Sequence, residues 1–294
     1  MPQVTRREFV KHTAVAAAAL QVASLPQARA ASAATGATVP PAVPVRWLDG
    51  KAPPFCFGAT WGVPWPQGRH APGTEFALST AEGTAVPVQS WPLAVWPDGS
   101  LKWTAHAVGA GLPAAETFTL EAGRPVTPAQ AVTTQVTEDA IEIDTGVMRC
   151  RLARRGRTVV EWIRRDGKTG LQNGTLVLLR QDRAEPGPDG VLRTETFVGE
   201  IDAVAVEQSG PIRAVVKIEG RHAGASGRAW LPFVLRLYFH AGSDAVRVMH
   251  TFVYDGDENQ DFIRGLGLRF AVPMADALHD RHVRFAGEGA GLFA

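Results

Sequence analysis

The sequence predicts a nearly all-β protein of two domains, on three observations. From Val43 onward, short segments rich in Val, Leu, Phe, Thr and Trp are punctuated by Gly, Pro and Asp-Gly about every ten residues, the pattern of antiparallel strands joined by tight turns. Residues 121–139, EAGRPVTPAQAVTTQVTED, break that pattern: Gly and two prolines interrupt any regular element and apolar residues thin out. The chain has 294 residues, enough for two domains with their own cores. A net charge of +1 with 20% charged and 45% hydrophobic residues fits a folded protein and gives no footing for nucleic acid or long disorder.

The first 30 residues read as a twin-arginine export signal. Thr5-Arg6-Arg7-Glu8-Phe9-Val10-Lys11 is the basic segment, with Arg6 and Arg7 as the pair the translocase would recognise. An alanine-rich apolar run from Thr13 to Leu25 follows, too short to span a bilayer stably, and Ala28-Arg29-Ala30 supplies small residues for cleavage after Ala30. The alternative is an amphipathic amino-terminal helix. The expected partner is the twin-arginine translocase, the expected location periplasmic or secreted, with no stable membrane span after processing.

Residues 31–42, ASAATGATVPPA, lack any periodicity that could bury a face and read as a linker. Residues 43–125 form the first β domain and residues 126–294 the second, a β-sandwich candidate. Within the second, IEIDTGVMRCRL, TVVEWIRRDGKTG, IDAVAVEQSGPIRAVVKIEG and FVLRLYFHAGSDAVRVMHTFVYD each alternate apolar and polar residues around a turn, as hairpins do.

The last hairpin can be read to its register. Phe233, Leu235, Leu237 and Phe239 share one face, and Val234, Arg236, Tyr238 and His240 the other. Pairing Ala245 with His240 adds Val246, Val248, His250 and Phe252 to the apolar face and Arg247 to the polar one, the register that keeps apolar residues together. His240 and His250 then point to opposite faces, which rules the pair out as a shared zinc site. His222, His279 and His282 lack metal-ligand spacing and read as structural.

No Gly-x-Ser-x-Gly elbow, His-Glu-x-x-His helix or Gly-rich phosphate loop occurs, so neither nucleophilic hydrolysis nor a cofactor is expected. Asp255, Asp257, Glu258 and Asp261 in YDGDENQDF depart from the helix-loop-helix calcium spacing and read as a solvated turn, with a calcium loop as the alternative. Cys56 and Cys150 leave open one disulfide or two free thiols. Of eight tryptophans, five lie between Trp47 and Trp96. In an exported β protein they suggest sugar stacking, against the alternative of core packing.

VPVRWLDGKAPPFCFGATWGVPWPQG and LSTAEGTAVPVQSWPLAVWPDGSLKWTAHAV, with Gly62-Val63-Pro64, Val86-Pro87-Val88-Gln89, Trp96-Pro97-Asp98-Gly99-Ser100 and Lys102-Trp103, resemble the amino-terminal RIFT-barrel domain of exo-rhamnogalacturonan lyase-like (YetA-like) proteins, polysaccharide lyase family 26. HTFVYDGDENQDFIRGLGLRF resembles part of the β-sandwich that follows in that family. The resemblance implies a RIFT-type barrel, then an antiparallel sandwich, in an exported protein acting on pectic polysaccharide by β-elimination. It also implies that the clustered tryptophans build the barrel. Family members continue into a large helical toroid, so a chain ending Gly291-Leu292-Phe293-Ala294 is expected to be an incomplete or inactive fragment on its own.

The catalytic base stays unassigned. Arg236, Tyr238, His240 and Arg247, on the polar hairpin face, are the candidates for holding a uronate carboxylate, because guanidinium groups bind carboxylates in bidentate fashion. The alternatives for that face are exposure to solvent or packing against a further domain. The competing function is a non-catalytic carbohydrate-binding or accessory module.

Overall fold

The computed structural model describes residues 42–188, 190–283, 285–286 and 292–293. The export signal with Arg6, Arg7 and Ala30, and nearly all of the 31–42 linker, lie outside the described residues.

Seven strands make the first domain: β1 (Val43–Arg46), β2 (Ala59–Pro64), β3 (Phe76–Thr80), β4 (Ala85–Val86), β5 (Gln89–Val95), β6 (Leu101–Val108) and β7 (Thr117–Ala122). They form two antiparallel sheets, β1-β7-β3-β4 and β2-β6-β5. Alternation fixes which side faces in: Phe76 and Leu78 of β3 and Phe118 and Leu120 of β7 meet Val63 of β2 and Leu101 and Val108 of β6 in one buried cluster. The expected tight turn joins β5 to β6. Gly99 supplies the left-handed residue at φ 82°, its N–H bonds Trp96 O at 2.9 Å, and Asp98 Oδ1 accepts from the Ser100 amide at 3.0 Å.

The second domain runs through β8 (Thr133–Val136), β9 (Ala140–Asp144), β10 (Met148–Ala153), β11 (Thr158–Arg165), β12 (Lys168–Gln181), β13 (Thr194–Ser209), β14 (Arg213–Gly224), β15 (Ala229–His240), β16 (Arg247–Phe252) and β17 (Phe262–Ala271). All four hairpins read from the sequence are present, as β9-β10, β11-β12, β13-β14 and β15-β16. The ladder runs continuously from β16 to β8, with β17 pairing β12 on its other edge. The long β12 turns the corner, pairing β11 through its first half and β13 through its last residues. The two halves face each other across one core: Ile141, Ile143, Cys150, Leu152 and Val160 pack with Val216, Ile218, Leu235, Leu237 and Phe239. Each fully buried side chain of this kind is worth about 1.5–3 kcal/mol.

The β15-β16 register is the one the alternation requires, with Leu235 opposite His250, Leu237 opposite Val248 and Tyr238 opposite Arg247. The apolar face stays buried along β15 but not along β16, an edge strand on which Val248 is 40% and Phe252 41% exposed. Cys56 and Cys150 are free thiols, the second fully buried. Leu278–Asp280 is a single helical turn, and among the described residues no helix is long and apolar enough to cross a membrane.

Candidate functional site

The barrel and the sandwich meet along a seam built from glycines. A Cβ on Gly58, at φ 113°, would stand 2.2 Å from the His240 ring, one on Gly109 would be 2.7 Å from Ala241 O, and one on Gly210 would meet the Gln89 amide at 2.3 Å. Hydrogen bonds follow the same line. Gln89 Oε1, on barrel strand β5, accepts from the amides of Ile212 and Arg213 at 3.1 and 2.8 Å, and the Ala110 amide donates to Ala241 O at 2.8 Å.

Beside the seam lies an open cleft of about 530 Å³. Thr60, Trp91 and Leu93 line it from the barrel, and Glu207, Arg213, Arg236 and Tyr238 from the sandwich. Each wall carries a β-bulge. Leu93 is the extra residue of β5 against β6, and Glu207 the extra residue of β13 against β14, and both line the cleft.

Arg213 is the centre of the arrangement. Its guanidinium carbon lies 4.9 Å from the ring centre of Trp91 and 4.9 Å from that of Tyr238, so an arginine of one domain stacks on aromatics of both. Its Nε is buried without a hydrogen-bond partner, its contact to Thr60 Oγ1 is long at 3.4 Å, and no carboxylate lies within ion-pair distance among the described residues. Desolvation by burial, and then the like charge of Arg247, lower its pKa from the ordinary arginine value.

The four sequence candidates share one face but have different environments. Arg236 is taken, donating to Glu207 through Nε at 2.8 Å and a terminal nitrogen at 3.0 Å. That bidentate bond lowers the pKa of Glu207. Tyr238 supplies its ring to Arg213 and, at 5.8 Å, to Arg247. His240 does not present a ligand atom: it is buried against Gly58, with Nε2 closed off from solvent, and burial with the nearby Arg213 and Arg247 charges holds its pKa at about 4. Arg247 has no carboxylate partner among the described residues. The barrel sets Trp91 and Gly58 against part of the polar hairpin face, and Arg247 on that face is exposed.

Sequence reading missed Arg213, Trp91 and Glu207. One signal for Arg213 was available: in RAVVKIEG the residues Arg213, Val215, Lys217 and Glu219 alternate with the buried Ala214, Val216, Ile218 and Gly220.

Two other polar clusters are structural. Ser90, His106, Thr104 and Trp65 form a chain inside the barrel, with Ser90 Oγ 2.8 Å from His106 Nδ1 and Thr104 Oγ1 2.7 Å from His106 Nε2. Thr104 Oγ1 also accepts the Trp65 indole N–H at 2.7 Å. Burial holds His106 at about 4, too low for a base at neutral pH. The acidic turn is solvated at Asp255, Asp257 and Glu258, as expected, but not at Asp261. Asp261 is only 3% exposed, takes two bonds from Arg228 at 2.8 and 2.6 Å, one from Arg180 at 2.6 Å and one from the Asp257 amide at 2.8 Å. These donors hold its carboxyl far below the usual range, with the Arg228 bonds the largest cause. Its oxygens are spent on arginines, and no group of three or more metal-ligating side chains is assembled among the described residues.

The tryptophans divide in the same way. Trp65 is buried and Trp96 donates its indole N–H to Trp65 O at 3.0 Å, both building the barrel, while Trp103 is 39% exposed and Trp91 faces the cleft.

An amino-terminal β-barrel packed and hydrogen-bonded to an antiparallel sandwich, with an aromatic and cationic cleft at the joint, defines a two-domain all-β protein class. The family model for the PcRGLX-like N-terminal RIFT barrel domain matches residues 41–123, and that for the PcRGLX-like protein central beta sandwich domain matches residues 132–294. The chain belongs to this PcRGLX-like family, as its sequence motifs implied. It is similar to the uncharacterized protein YetA of Bacillus subtilis (strain 168), 38% identical over 245 residues, which cover 83% of this chain and 28% of that protein. The chain thus spans well under a third of the length of that relative.

Proposed function

We propose that this chain is the substrate-recognising barrel and sandwich of an exported rhamnogalacturonan lyase-type protein, and that its cleft holds a uronate of pectic polysaccharide. The observation that carries the reading is the Arg213 guanidinium stacked between Trp91 and Tyr238 without a carboxylate partner among the described residues. A uronate offers an apolar ring face for indole and a carboxylate for the guanidinium fork. Export rests on the basic, apolar and small segments of residues 1–30, and places the protein where such a polymer is met.

β-Elimination removes the proton beside the uronate carboxylate while cations stabilise the charge that develops. Arg213 suits the second task. Two cleft-side groups do not suit the first: Glu207 is bonded to Arg236 through both oxygens, and His240 Nε2 is buried. The cleft accordingly binds and orients, which also supports the reading of this chain as a carbohydrate-binding module.

Titration of the full chain with rhamnogalacturonan fragments and with neutral oligosaccharides of equal length tests the reading, alongside ultraviolet absorbance for unsaturated uronate products. Binding confined to the acidic fragments, lost in Arg213→Ala, is the expected result; equal binding of neutral fragments overturns it.

A further inference from the structure

Resting on that reading, the structure carries the ligand one step further. Arg213 lines this cleft and the exposed Arg247 lies outside its lining, beside Tyr238; neither has a carboxylate within ion-pair distance among the described residues, and both are arranged around one ring. Arg213 lies 4.9 Å and Arg247 5.8 Å from the centre of Tyr238, so their guanidinium carbons are separated by no more than about 11 Å. Arg247 lowers the pKa of Arg213, while Tyr238 and Glu207 act on it in the opposite sense, and both arginines lower the pKa of His240. Glu207 makes its direct bonds, through both oxygens, to Arg236 rather than to Arg213 or Arg247. Lys217 is likewise occupied, 3.0 Å from Glu219.

We infer that a ligand seated in the cleft extends past Tyr238 and sets two carboxylates, one on Arg213 in the cleft and one on Arg247 beyond Tyr238, so that an acidic oligosaccharide with at least two uronates is taken in preference to a single uronate. Trp91 fixes the ring at the Arg213 position, since it covers that guanidinium from the barrel side. Tyr238 spaces the two positions. The order is built into the fold: Arg213 opens β14 opposite His240, and Arg247 opens β16 opposite Tyr238, so the two cations lie on flanking strands of β15 and on the same face. Planar guanidinium forks match carboxylate geometry in a way lysine does not.

Calorimetric titration of the full chain with galacturonic acid and with trigalacturonate separates the possibilities, using wild type, Arg213→Ala, Arg247→Ala and Arg247→Lys. The expected result is trigalacturonate at least about tenfold tighter than the monomer. Arg247→Ala should remove that advantage without changing monomer binding, Arg247→Lys should keep part of it, and Arg213→Ala should weaken both ligands about tenfold or more. Unchanged thermal midpoints in the Arg247 variants confirm that the fold is intact, as expected for a side chain with no carboxylate partner among the described residues. An unaltered trigalacturonate advantage in Arg247→Ala overturns the two-carboxylate inference and leaves the uronate reading standing. No binding of either sugar by the wild type overturns the uronate reading itself. Equal binding of a sulfated oligosaccharide of the same length overturns the assignment to carboxylates.

Discussion

The sandwich holds arginines in two opposite ways. At the β12-β17 corner, Arg180 and Arg228 close on Asp261, which is almost fully buried and has donors on both oxygens. At the barrel joint, Arg213 and Arg247 lean on aromatic rings and have no acid of their own among the described residues. The first cluster is electrostatically complete and ties the 254–261 turn to β12 and β15, helped by the Tyr254 hydroxyl donating to Asp261 O at 2.8 Å. The second has aromatic faces in place of a bonded carboxylate, with Glu207 acting on Arg213 only at a distance. Arginine content alone therefore says nothing about function; whether a carboxylate already faces the guanidinium does.

The largest effect should come from breaking the closed cluster. Asp261→Ala removes the carboxylate shared by Arg180 and the partly exposed Arg228 and should cost about 1.5–3 kcal/mol, read as a lowered midpoint in chemical denaturation. Binding at the remote cleft should survive in the fraction that stays folded. Asp261→Ala with unchanged stability would remove the distinction between the two clusters.

Acid should separate the two ends next. His240, beneath the open pair, and His106 in the barrel have folded pKa values lowered to about 4 from 6.5, so the unfolded chain binds more protons between those values. Their stabilising contribution is whole above pH 6.5 and is lost as pH falls toward 4, at up to about 1.4 kcal/mol per pH unit for each. Asp261 behaves differently. Its pKa is depressed as an acid, so its contribution is whole above the ordinary aspartate range and disappears only in stronger acid. Denaturation midpoints across pH should thus fall in two stages, with the histidine stage first. Arg213→Ala removes one cation near His240, so the folded pKa of that histidine rises toward 6.5 and its share of the acid loss should shrink.

Arg213→Ala should also weaken uronate binding about ten- to a hundredfold, with a much smaller loss of stability than at Asp261. The smallest change is expected from Glu207→Gln, which releases Arg236 to the cleft and should tighten acidic oligosaccharides a few-fold. A loss of binding in that variant would mean that Glu207 contacts the ligand rather than restraining Arg236.

How much of this was legible depended on whether the partners lie in one hairpin. The β15-β16 register followed from Phe233, Leu235, Leu237 and Phe239, because slipping by one residue would expose all four. The Asp98-Gly99 turn followed from local backbone chemistry. The cleft did not, because its centre needs Trp91 from β5 and Tyr238 from β15 around Arg213 from β14, and no local periodicity joins them. Alternation placed His240 on the polar face correctly, but only the fold puts Gly58 over it. Asp261 reads as an ordinary turn carboxylate until Arg180 and Arg228 are brought in from distant segments.

The glycine seam also sets how little change the joint can absorb. With Gly58, Gly109 and Gly210 leaving no room for a side chain between the domains, even one methyl group at any of the three must displace His240, Ala241 or Gln89 and so shift one wall of the cleft against the other.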